Sequence, residues 1–481
     1  MTLLNHIISI KLKSLIIIAL ICSSCSHDWL NMHPSDSLPA EDALKSVSDV
    51  DYALNGAYNA MLHHYYYGGT MLWIGDVRAN DMMSTSIGVR TSNEYRFQST
   101  ADNISADLWS QPYVVIKATN SILYQKENIE IKTENEQETL NSYIGEAYAL
   151  RALALFDLTR LFGKAYKADN GASLGVPIVT ELLNPAEKPG RSSVAECYQQ
   201  IISDFKEAIT LLANEKHNGR ITQEAANTLL ARVYLYMGED ELAYNIAKSI
   251  IDNTEAQLIA YADYENSWKV GLSSESIFEL VSTSENNAGG ESMGYVMSPS
   301  DGYGAFHLSS SYLSLIKEID TDIRAQINTD FVLSGRTDAI KDAYLGKYPG
   351  KDGSNYVAVN NHIIARLSEV YLIAAEAAFK TNKKQTSLEY LNTLVEKRTE
   401  LVDYYALDDY SLVQIMNERR KELVGEGHNY FDALRDGETL VRDHDNFFGE
   451  ISEIDFNHNK AILPIPRAEL NTNPIAQNPG Y

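Results

Sequence analysis

The stretch that constrains this chain most is TQEAANTLLARVYLYMGEDELAYNIAKSIID, residues 222–252. Two apolar-periodic runs flank the turn MGED, and Ala225, Ala226, Ala231, Ala243 and Ala247 recur along them. Small residues at helical spacing let two helices approach closely, which is the layout of a tetratricopeptide-like hairpin. One such hairpin cannot bury its apolar face alone, so it demands neighbours stacked against it.

The neighbours are present. RLSEVYLIAAEAAFK (366–380), the turn TNKK and QTSLEYLNTLVEKR (385–398) form a comparable pair. Upstream, residues 48–62 place Val50, Leu54, Ala57, Tyr58 and Met61 on one helical stripe, and 105–129 supply a partner with Pro112 near its first turn. Residues 143–166 are apolar over a wide arc and stop at Gly163, and 193–214 open with a serine cap signal. The predicted fold is mostly α, with about four tetratricopeptide-like helix pairs, long irregular loops and minor β. Residues 163–193, 263–310 and 335–362 are rich in Gly, Ser, Asn and Pro; within them IFELVSTS (277–284) reads as a short strand. The loop that follows, ENNAGGESMGYVMSPSDGYGAF, is long enough to suggest function. The proline-punctuated C-terminus reads as an extended surface segment.

A formal net charge of -25 repels a phosphate backbone, so nucleic acid is excluded as a partner. Thirty tyrosines supply flat apolar faces with polar tips, which suit binding surfaces. No internal run reaches the ~18 apolar residues of a membrane span. Cys22 and Cys25 have Cys-x-x-Cys spacing, but a zinc site lacks its second pair and a redox pair lacks its βαβ context. Instead they follow Lys11, Lys13 and SLIIIALI, the basic-then-apolar order of an export signal. Bulky Ile21 precedes Cys22, whereas small Ser23 and Ser24 precede Cys25, as cleavage prefers. The segment looks like a bacterial lipobox with Cys25 lipidated and Cys22 standing where leucine is usual. Residues 1–24 are then a signal peptide. Residues 25–481 form one domain, with a helical-repeat half at 25–255 and a loop-rich half at 256–481. Cys197 is left as a lone, buried and inert thiol.

Catalytic signatures are absent: no His-Glu-x-x-His, Gly-x-Ser-x-Gly, Walker loop or dinucleotide-binding glycine pattern occurs. No cofactor is expected, and no pair among the many carboxylates is singled out for catalysis. RDHDNFFGE (442–450) and DFNHNK (455–460) offer oxygen ligands for a structural calcium but lack the loop glycine, so solvated loop polarity is the simpler reading. His63 and His64 are adjacent and read as part of an aromatic patch, not a chelate. Arg366–Glu369, Arg419–Glu422 and Asp432–Arg435 have the i,i+3 spacing of helical ion pairs.

Taken together, SCSHDWLNMHPSD, ALNGAY, EAYALRALALFDLTRLFGKAY, GVPIVTE, AANTLLARVYLYMGE, IFELV, RLSEVYLIAAEAAF, LNTLVEKR, ERRKELVGEGHNYFDALRDG and LPIPRAELNTNPIAQNPGY resemble, in order, the SusD/RagB family of Bacteroidota outer-membrane lipoproteins. The resemblance implies a helical domain with irregular loops packed across one side. It also implies a non-enzymatic lipoprotein, anchored through Cys25 and facing the cell exterior. Such a protein captures a nutrient, usually a glycan, for a SusC-like TonB-dependent outer-membrane transporter. Asp28 is the one acid close behind the lipidated cysteine to serve surface export. The ligand surface implied by the resemblance lies on loops after the first helix and in the central irregular region. There the corresponding residues are Trp73, Asp81, Arg90, Asn93, Tyr95, Arg96, Tyr295, Tyr303 and Phe306. Sugar C–H faces pack on aromatic planes while hydroxyls seek Asn, Asp and Arg. The alternatives are a helical-repeat scaffold lipoprotein and a binder of peptide or another non-glycan nutrient.

Overall fold

The computed structural model describes residues 44–85, 90–184, 186–214, 219–333, 335–351, 356–442 and 450–481. Cys22, Cys25 and most of RDHDNFFGE lie outside the described residues. The helices that organise the chain are α1 (Val47–Met61), α2 (Thr70–Val77), α3 (Ala106–Gln125), α4 (Glu134–Phe162), α5 (Val194–Leu211) and α6 (Gln223–Met237). They continue with α7 (Asp240–Asn253), α8 (Leu367–Lys380), α9 (Lys384–Thr399), α10 (Leu412–Leu423), α11 (Asn429–Asp436) and α12 (Arg467–Thr472). α1 packs on α3, α4 on α5, α6 on α7 and α8 on α9, and α10 closes against α8. The mostly α fold with paired helices and minor β is the one the periodicity predicts.

Local chemistry sets the ends. Ser46 with Asp49, and Ser193 with Glu196, form reciprocal capping boxes at α1 and α5. Gly238 ends α6 in the left-handed conformation (φ 82) that a side chain would resist, which makes the sharp turn into α7. α4 begins at Glu134, well before the apolar run at 143, because Thr133 caps a polar first stretch (ENEQETLNS) that carries no apolar stripe to read. Pro112 sits inside α3, past the first turn, where its ring cannot donate to the Leu108 carbonyl.

The strands form two-stranded antiparallel pairs. β1 (Met82–Ser84) pairs with β3 (Phe306–Leu308), and β2 (Ser276–Leu280), the predicted IFELV strand, pairs with β6 (His362–Arg366). β4 (Thr329–Phe331) pairs with β5 (Ile340–Tyr344). A large apolar core runs through α1 to α8 and receives the inner faces of the loops, and a second cluster lies between α8, α9 and α10. The C-terminal segment is extended except for α12.

Ion pairs depart from their spacing. Arg366 reaches Glu426 (2.8 Å) and Glu422, while Glu369 takes Arg232 at 2.6 Å. Arg419 bonds Asp432 at 2.7 Å instead of Glu422, and Asp432–Arg435 (2.9 Å) forms as spaced. These side chains are all buried, and a buried charge is served by whichever opposite charge shares its interior. Helical neighbour pairing governs exposed faces instead. Cys197 is buried with its Sγ 3.6 Å from the Val176 carbonyl.

Candidate functional site

Two loops from distant parts of the chain meet beside α10 and α11. The first leaves α1, passes through the buried α2 and runs to residue 105; the second is the glycine-rich segment between β2 and β3. β1 and β3 join them, with Met82 opposite Leu308 and Ser84 opposite Phe306. Asp81 ties the first loop down: Arg420 Nη2 on α10 donates to its Oδ1 at 2.6 Å, and the Asn429 amide donates to Oδ2.

This arrangement divides the nine sequence-derived candidates. Trp73, Asp81, Tyr95 and Phe306 are buried, so they are interior supports and not surface contacts. The Trp73 and Phe306 rings lie 6.3 Å apart under the loops, and the Arg442 guanidinium lies 4.3 Å from the Tyr95 ring centre. Trp73 is carried inward by α2, which is buried along its whole length, Asp81 is held by Arg420, and Phe306 lies on the fully buried β3. Asn93 and Arg96 are half-buried on the short helix Ser92–Tyr95, and Asn93 contributes its carbonyl to Gln98 N–H.

Arg90, Tyr295 and Tyr303 are brought together at the surface. The Arg90 guanidinium lies 3.8 Å from the Tyr303 ring centre and also pairs with Glu291. Tyr295 meets Tyr303 edge-on at 5.2 Å and Tyr356 at 6.2 Å. Tyr303 and Tyr356 are 38% and 44% exposed, so both present ring surface to solvent. The 295–303 loop closes through Tyr303 N–H to Tyr295 O (3.1 Å), Gly304 N–H to Ser298 O (2.8 Å) and Ala305 N–H to Val296 O (2.9 Å). Gly302 makes that closure feasible, since a Cβ there would stand 1.7 Å from the Tyr295 carbonyl oxygen.

Glu291 and Tyr356 were missed by the sequence reading, although both fall in its Gly- and Asn-rich segments. His63 and His64 stack at 4.4 Å in the turn after α1, and His64 meets Tyr65 at the same spacing. Burial lowers the pKa of both imidazoles; their mutual repulsion adds to this at His63 and the Arg90 charge at His64. They are neutral ring surfaces at neutral pH. Among the described residues no group of three His, Cys, Asp or Glu is placed to hold a metal ion. Tyrosine rings set at steep angles to one another, one of them under a guanidinium, suit stacking and hydrogen bonding to a flat polar ligand.

A helical-hairpin scaffold that holds an aromatic, loop-built surface defines a binding protein by its architecture. Comparison with known proteins is specific. A family model described as "Starch-binding associating with outer membrane" matches residues 28–235, and one described as "SusD family" matches 340–481. SusD superfamily proteins from Bacteroides thetaiotaomicron and Bacteroides vulgatus have solved structures that superpose with TM-scores of 0.84 and 0.85, at 37% and 35% identity. They cover 90% and 91% of this chain and 100% of their own. The SusD-like protein P2 of Formosa agariphila is 25% identical, over 97% of this chain and 98% of its own. The chain belongs to the SusD/RagB family. Among the described residues no helix is long and apolar enough to cross a membrane.

Proposed function

We propose that this chain is a lipid-anchored protein of the outer membrane that faces the cell exterior. It binds an oligo- or polysaccharide and passes it to a SusC-like TonB-dependent transporter. The observation that carries the reading is the Tyr295–Tyr303–Tyr356 cluster, with Arg90 over the Tyr303 ring, on loops joined through β1 and β3. Ring faces supply the stacking a pyranose needs, while the guanidinium and phenol hydroxyls serve its hydroxyl groups. The family description of starch binding at the outer membrane points the same way. Cys25 supplies the anchor, with residues 1–24 removed as the signal. An anchor of several acyl chains is stable where a single chain is marginal. The domain then spans 25–481.

Affinity electrophoresis of the wild type and Tyr303→Ala across a polysaccharide panel tests the reading. At least one glycan should retard the wild type, and Tyr303→Ala should relieve that retardation at least tenfold. Retardation by no polysaccharide, or shortened products after incubation, would defeat it.

A further inference from the structure

A concave feature elsewhere on the fold shares no residue with the loop surface. It is a groove of about 420 Å³ between the first half of α3, the connector at 177–189 and α12. That volume lies within the roughly 300–1,000 Å³ of small-molecule sites. Its floor is apolar: the Tyr113 ring, Pro177, Val179 and Pro189 line it. The floor is held in place before any ligand arrives. Tyr113 donates its hydroxyl to the Pro177 carbonyl at 2.9 Å, and its ring packs 5.5 Å from buried Trp109. The Asn120 amide donates to the carbonyls of Val179 (3.0 Å) and Glu181 (3.1 Å), which pins the connector to α3. On the far side the Asn473 amide bonds the Pro189 carbonyl at 3.0 Å. Three walls from separate parts of the chain are therefore fixed relative to one another.

The rim is charged and unspent. Lys117, Lys188, Glu181 and Glu469 line the groove, and among the described residues their side chains enter no hydrogen bond or ion pair. Among the described residues Glu187 accepts the Asn184 N–H alone. Two cations and three carboxylates spaced around one opening offer many hydrogen bonds yet nearly cancel in charge. An anion or a cation gains little from such a rim, whereas a neutral, polyhydroxylated ring finds both donors and acceptors over an apolar floor.

We infer that this groove is a second binding site, specific for a neutral sugar unit, built on the α3–connector–α12 face and independent of the loop surface. The test uses saturation-transfer NMR on the full chain with glucose, galactose, mannose and glucuronate as probes. Tyr303→Ala serves as the parent so that the loop surface is disabled. At least one neutral sugar should bind this parent, and adding Lys117→Ala and Lys188→Ala should weaken it at least fivefold; both lysines are exposed, so folding is retained. Glucuronate should bind no better than the neutral sugars. The site is overturned if no neutral sugar binds the Tyr303→Ala protein, if the lysine substitutions change nothing, or if glucuronate is preferred. Failure of Tyr303→Ala to relieve polysaccharide retardation would instead strike the loop surface and leave the groove standing.

Discussion

The Arg90 guanidinium lies over the Tyr303 ring, 3.8 Å from its centre, although the two residues belong to different loops. The contact makes a testable pair. An exposed cation–π contact contributes about 0.5–1 kcal/mol. A double-mutant cycle of Arg90→Ala and Tyr303→Ala, read as glycan affinity, should therefore show coupling of that order. Additive effects would mean that the two side chains act separately on the ligand.

Gly302→Ala should separate binding from folding. Its Cβ would overlap the Tyr295 carbonyl, so the 295–303 loop must open and the tyrosine cluster disperse. Glycan affinity should fall at least tenfold while thermal unfolding remains one cooperative transition, because the helical core lies elsewhere. Unchanged affinity would place the ligand away from this loop.

Glu422 is the acid on which three buried guanidiniums converge: Arg324 at 3.1 Å, Arg398 at 2.9 Å and Arg366. Removing one partner from a buried pair strands charge in the interior and costs roughly 3–5 kcal/mol. Glu422→Ala should lower stability by at least that much in urea denaturation. A loss below about 1 kcal/mol would show that water reaches the network.

Burial raises the Glu146 carboxyl to about 7, against the opposing pull of Arg220 and the Tyr58 hydroxyl. The folded pKa lies above the unfolded one, so the folded state holds this proton more tightly. Its stabilisation is complete below about pH 4.5 and is lost as pH rises through about 7, a change on the order of 3 kcal/mol. Glu146→Gln should flatten the pH dependence of the urea midpoint over that window, compared with wild type. Parallel curves for the two proteins would assign the titration elsewhere.

Cys25→Ala should release the protein from the outer-membrane fraction, whereas Cys22→Ala should leave it anchored. Loss of lipid labelling on Cys22→Ala alone would move the cleavage site.

The helical pairs were legible because their signals are local. The stripe of Val50, Leu54, Ala57 and Met61, the Ser193 cap and the alanines of 222–252 act within a few turns of their own helix. The start of α4 was not legible, since ENEQETLNS carries no apolar stripe and its helix depends on a cap and on the pairing downstream. The candidate surface was legible by region only. Arg90, Tyr295 and Tyr303 converge, but Trp73, Asp81 and Tyr95 turn inward on a loop held by buried α2 and the Asp81–Arg420 pair, and Phe306 lies on the buried β3 paired with it. The α3–connector–α12 groove left no linear pattern at all, since its walls come from three distant segments.

Sequence alone determined that this chain stacks helical pairs and which family it resembles. These follow from periodicity, capping and ordered motifs, which are properties of neighbouring residues. Tertiary structure decided which aromatics see solvent and which charge meets which. Glu422 illustrates the reason: its i−3 neighbour Arg419 turns to Asp432, and its own partners arrive from residues 324, 366 and 398. Inside a core, a charge binds the partner that folding brings to it, whether that partner is near or far in sequence.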